Sequence, residues 1–107
     1  MRSPIYRSEV VLLPAADRPR LVSAWRPMLV PFAGATPATS EPGLGIAFAS
    51  GPGQFEIGSP ATCAFQLMAW PDPTCDRIAV GVEFALLEGS TMVGTGKVIA
   101  MEPASGT

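Results

Sequence analysis

Proline and glycine recur so often along this chain that no long helix can form. Twelve prolines and eleven glycines fall between apolar runs. Proline removes a backbone donor, and glycine lets the chain reverse without a Cβ clash. The stretches between them are short and bounded by turn signals, and none sustains a 3.6-residue apolar period. Six or seven short strands, with a turn signal about every 8 to 12 residues, predict a small closed barrel or a sandwich. Closure would also remove the exposed edges that endanger so apolar a chain, 48% hydrophobic by composition. At 107 residues the chain is read as one domain, 1–107.

In order, Ile5 to Leu13 alternates as a half-buried strand, with Tyr6, Ser8, Val10 and Leu12 on one side. Residues 15–22 are charged and proline-broken, and read as a loop. Arg26 to Phe32 is a second strand whose two prolines place it at an edge or confine its pairing to the middle. Ala33 to Pro42 reads as turn-rich. Leu44 to Ala49 and Gln54 to Ile57, either side of Ser50-Gly51-Pro52-Gly53, predict a hairpin. A fifth run, Ala61 to Trp70, ends at Pro71.

The last two strands, Ile78 to Leu87 and Thr91 to Met101, flank a Glu88-Gly89-Ser90 corner. Gly89 can take positive φ there. Gly94 and Gly96 lie two apart on one face, where missing side chains let a neighbour come close.

Charge and residue inventory narrow the chemistry. The net charge of −2 and a pI near 4.9 do not favour phosphate backbones, so DNA is not an expected partner. Arg18, Arg20 and Arg26 are the one place where basic residues gather. With no histidine, a histidine triad and most transition-metal sites are excluded, and no cofactor is implied. Cys63 and Cys75 read as reduced thiols, the first in the core and the second near the surface. No run approaches the ~18 apolar residues of a membrane span. Val10 to Ala16 is too short, and its approach too interrupted by Arg7 and Glu9, for a secretion signal; a cytoplasmic location is expected.

With the strands placed, the run EFALLEGSTMVGTGKV, Glu83 to Val98, resembles RFAIREGGRTVGAGVV, the closing hairpin of the third, carboxy-terminal barrel domain of elongation factor Tu. Phe84, Ala85, Glu88, Gly89, Val93, Gly94, Gly96 and Val98 coincide. Three more segments match in order. Ser8 to Leu13 resembles the opening strand AEVYIL, Trp25-Arg26-Pro27 resembles YRP, and Gly58 to Pro71 resembles GDNIKMVVTLIHP. The resemblance covers nearly the whole chain. It implies an all-β fold, a closed six-stranded antiparallel Greek-key barrel, detached from the GTPase that accompanies it in that family. No P-loop motif occurs in the chain.

In that family the barrel grips the T-stem of aminoacyl-tRNA, and the corner pair matching Glu88 and Gly89 contacts the RNA backbone. A carboxylate accepting from a ribose 2′-OH beside a glycine suits that role. Here, however, the arginines that flank the family's corner are Glu83, Leu87 and Thr91, and the glutamine after its Arg-Pro is Met28. Losing about three positive charges removes about one unit of salt slope each. Glu88 and Gly89 also suit plain turn chemistry.

Trp25, Arg26 and Trp70 complete the candidate binding residues; each tryptophan could anchor a partner or cap an end of the barrel. Asp72 and Asp76 read as turn residues, and Glu83 and Glu88 face opposite sides of one strand, which argues against a catalytic dyad. No catalytic or metal-binding set emerges. The expected function is a non-enzymatic protein-interaction module whose partner is another protein or a second copy, with Met68, Trp70 and Leu87 turned outward. The alternative is a tRNA-binding module, which requires Arg18, Arg20, Arg26 and Lys97 to converge on one face with Glu88.

Overall fold

The computed structural model describes residues 3–33, 36–37 and 43–103. Nine strands occur among the described residues: β1 (Ile5–Leu12), β2 (Arg20–Leu21), β3 (Met28–Ala33), β4 (Thr36–Pro37), β5 (Leu44–Ser50), β6 (Gln54–Phe55), β7 (Ala61–Leu67), β8 (Glu83–Glu88) and β9 (Thr91–Glu102). Two 3-10 turns, Pro14–Ala16 and Pro73–Arg77, are the helical pieces among the described residues. The bulk of the turn-rich stretch read at residues 33–42 lies outside those residues.

Six strands form an antiparallel sheet that closes on itself in the order β3-β5-β7-β1-β9-β8, with β8 pairing back to β3. β1 therefore lies beside the last of the three main strands that follow it, which is Greek-key order. The ring closes where β3 pairs with β8 over Met28 to Pro31 and with β5 over Met28 and Leu29 alone. Pro31 still lies opposite Phe84, and Phe32 and Ala33 continue the pairing with β4, so the prolines neither put this strand at an edge nor confine its pairing to the middle.

Alternation fills the ring. Tyr6, Ser8, Val10 and Leu12 of β1 point inward and are fully buried, while Arg7 and Glu9 face out. Phe84 and Leu86 of β8 do the same. The aromatic core has two groups. Tyr6 stacks on Phe65 at 5.4 Å, and Phe65 meets the edge of Phe84 at 5.7 Å. Trp25, Phe48 and Phe55 form the second, with centroids 5.3 to 5.6 Å apart.

Gly96 explains the close packing of the last strand pair. A Cβ there would stand 2.5 Å from the Phe84 ring and 2.9 Å from the Glu9 carbonyl oxygen, so only glycine leaves room for the ring. Gly89 has φ 63° in a two-residue turn between the paired Glu88 and Thr91, and Ser90 does not share its positive φ. That is the arrangement of a type II′ hairpin, which places glycine first.

Four more expectations are corrected. Gln54 and Phe55 do not form a hairpin with β5; they pair with Arg20 and Leu21, inside the stretch read as a loop, and β5 pairs with β3 and β7 instead. The run read as Ala61 to Trp70 leaves the ladder after Leu67, whose N–H donates to Ser3 Oγ at 2.9 Å, and residues 68–71 turn. The run from Ile78 becomes a strand only at Glu83, because Gly81 at φ 91° bends the chain first. Cys75 is buried rather than near the surface, 1% exposed on the turn Pro73–Arg77.

Candidate functional site

Glu88 shares the parity of Phe84 and Leu86 along β8, so it points over the mouth of the ring rather than away from it. A carboxylate in that position must be paired or well hydrogen-bonded. Arg20 Nε and Nη2 donate to its two oxygens, each at 2.8 Å, in a bidentate pair. Trp25 Nε1 donates to Oε2 at 2.7 Å. The hydrogen bonds from Arg20 hold the Glu88 carboxyl below the usual carboxylate range; partial burial opposes this, and the Trp25 indole adds to it.

Arg20 also organises the chain leading to it. Its Nη2 donates to the Ala16 carbonyl at 3.0 Å and its Nη1 to the Arg18 carbonyl at 2.6 Å. The segment 16–25 is thus strapped over the mouth, and the short β2–β6 ribbon anchors its far side. Trp25, the last residue of this segment, is 6% exposed and stacked on Phe48. Arg26 Nη1 donates to the carbonyls of Trp25 and Ser23 at 3.0 and 3.4 Å, and the side chain lies on the surface.

The structure therefore brings Glu88, Gly89, Trp25 and Arg26 to one end of the ring. Trp70 is at the other end, three residues beyond Leu67 on the side where Ser3 and Tyr6 lie. It is partly buried against the core rather than turned outward, and its Nε1 is buried without a hydrogen-bond partner among the described residues. Lys97 does not join the arginines either. It lies on β9 opposite Glu9 of β1 and Glu83 of β8. Sequence reasoning missed Arg20 as the partner of Glu88. Parity signals the need, since a carboxylate in register with Phe84 and Leu86 calls for a cation, but it does not say which one.

A second feature crosses the outer surface near this end. Met28 of β3 pairs with Leu87 of β8, which pairs with Met92 of β9. On its other side Met28 pairs with Gly45 of β5, whose carbonyl accepts from the Met68 N–H at 3.0 Å. A Cβ on Gly45 would stand 3.6 Å from the Met68 sulfur. Met68, Met28 and Met92 are 66%, 41% and 37% exposed, so partly exposed apolar side chains recur across four neighbouring strands.

The thiols offer no chemistry of this kind. Both are free and buried, and burial pushes Cys63 up to about 12. Asp72 and Asp76 add to the burial that raises Cys75. Among the described residues no three His, Cys, Asp or Glu side chains gather as a metal site, and no helix is long and apolar enough to cross a membrane. No protein-family model matches the chain, and no curated protein matches it.

Proposed function

We propose that this chain is a non-enzymatic protein-interaction domain of the type seen in the third domain of elongation factor Tu. The observation that carries the reading is the methionine band Met68–Met28–Leu87–Met92 on the outer face of the ring. Methionine is flexible and polarizable, and suits a surface that must fit a partner. Contiguous exposed apolar surface marks interaction sites more often than isolated apolar residues do. The four ordered sequence matches and the Greek-key order support the domain type. Two unpaired thiols are in keeping with a reducing, cytoplasmic setting.

One observation favours the tRNA alternative: Arg18, Arg20 and Arg26 share the end that carries Glu88. Against it, Arg20 and Glu88 spend their charges on each other, and Lys97 lies elsewhere. The test immobilises the full chain and compares it with a Met28→Ser, Met68→Ser double variant and with Met101→Ser. Met101 is 50% exposed on the same strand as Met92 but at its far end. A captured protein, or a self-association seen by sedimentation velocity, should be lost in the double variant and kept in Met101→Ser. Retention of tRNA that falls with salt, with no protein bound through the band, would overturn the proposal.

A further inference from the structure

Among the described residues β3 meets β5 through Met28 with Gly45 and Leu29 with Leu44 alone, whereas every other joint of the ring pairs over four residues or more. A short ladder offers few hydrogen bonds and few cross-strand side-chain pairs, so the ring is held least firmly there. The β5 side of this joint is also bare. Gly43 and Gly45, two apart where the strand begins, have no side chains to shield their backbone.

Two methionines supply the cover. A Cβ on Gly43 would stand 2.9 Å from Met28 Cβ and 3.5 Å from its terminal methyl, so Met28 arches over Gly43. The Met68 sulfur lies 3.6 Å from the place that a Cβ would take on Gly45, and the Met68 N–H donates to the Gly45 carbonyl at 3.0 Å. Yet Met68 is 66% exposed and Met28 41%, so a small solute can reach both side chains.

We infer that Met28 and Met68 form an oxidation-sensitive joint: peroxide converts their thioethers to sulfoxides, and the ring loosens between β3 and β5 while its other joints hold. In each step one oxygen atom passes from hydrogen peroxide to the thioether sulfur. The sulfur is oxidised by two electrons, and the peroxide is reduced to water. The product is a polar side chain that prefers water to the backbone it had shielded, so Gly43 and Gly45 lose their apolar cover. A sulfoxide reductase supplied with a dithiol reverses the step: the dithiol becomes a disulfide and the oxygen leaves as water. The cysteines do not compete. Both are buried, burial raises both thiols, and the thiolate is the form that peroxide attacks. The joint responds in this way whether or not the outer face binds a partner.

The full chain, labelled with ¹⁵N, is treated with hydrogen peroxide, sulfoxides are assigned by fragmentation mass spectrometry, and amide hydrogen exchange is compared before and after. Exchange should rise about tenfold at residues 43–45 and at the Met68 amide, the factor that corresponds to losing one or two methylenes of apolar cover. It should stay unchanged where β1 pairs with β9, and the reductase should restore it. Met28→Leu with Met68→Leu keeps the apolar volume without the sulfur. In that double variant peroxide should leave the joint unchanged, although Met101, 50% exposed at the far end of β9, is still oxidised. Met68→Gln puts a polar group there without any oxidant and should raise exchange at residues 43–45 by itself.

Unchanged exchange at the joint in the oxidised chain overturns the inference, as does unchanged exchange in Met68→Gln. An equal response to peroxide in the double leucine variant overturns it too, by placing the sensitive sulfur elsewhere. So does a rise spread evenly over β1 and β9, which would mark a general loss of stability rather than an opening at one joint.

Discussion

Replacing Glu88 separates the two tasks that its carboxylate performs. Glu88→Ala removes the acceptor for the Trp25 indole N–H, and Trp25 is only 6% exposed. A buried donor left without a partner costs about 1–3 kcal/mol. The same change removes the Arg20 pair. That pair is bidentate, but the Glu88 side chain is 36% exposed, so solvent screening reduces its worth to about 0.5–1 kcal/mol. Together the loss is about 1.5–4 kcal/mol, or roughly 6–30 °C in Tm for a domain of this size.

Glu88→Gln keeps an oxygen for the indole and gives up the charge, so it should cost ~1 kcal/mol or less. Urea unfolding followed by far-UV circular dichroism measures both. The pH dependence adds a sign. The folded carboxyl sits below its ordinary value of 4.5, so the folded state binds this proton less readily than the unfolded chain. Its contribution is complete above pH 4.5 and disappears as the pH falls through the lowered folded value. Glu88→Gln should therefore lose less stability at pH 3 than at pH 7, relative to the parent. If Glu88→Ala and Glu88→Gln are equally stable, the indole does not depend on this acceptor and the reasoning fails.

Three further outcomes follow from the packing. Gly96→Ala forces a methyl group against the Phe84 ring and the Glu9 carbonyl, and should destabilise by about 1–3 kcal/mol; Phe84→Leu in the same chain should return part of that loss in denaturant unfolding. Gly89→Ala meets no atom within 4 Å, so its cost is the left-handed backbone alone, about 1–2 kcal/mol, with an unchanged dependence on Phe84. Cys63, raised to about 12 and buried beside the core, should resist a disulfide-based thiol reagent at pH 8 until the chain unfolds, and Cys75 should resist with it; rapid labelling of either thiol in the folded protein would contradict their burial.

Local spacing was enough to determine several features of this protein. Alternation in Ile5 to Leu12 named the buried face residue by residue, because a strand's period of two admits only one inward set. Gly89 and Gly96 announced the turn and the close approach, since positive φ favours glycine at the first and a Cβ at the second would meet the Phe84 ring. The all-β class followed from proline spacing. Pairing between distant segments was not legible in the same way. Residues 54 and 55 lie one turn after β5, yet they join Arg20 and Leu21, because the strap over the mouth needs a partner and β5 already has two.

The site divides along the same line. The sequence marked Glu88, Gly89, Trp25 and Arg26 as residues to watch, and nothing local says which of them touch. Only the closed ring, by bringing the strap of residues 16–25 across the end of β8, turns Glu88 inward onto Arg20 and the Trp25 indole. That contact spans 68 residues of chain between Arg20 and Glu88. It pairs the charge of the corner carboxylate with that of Arg20.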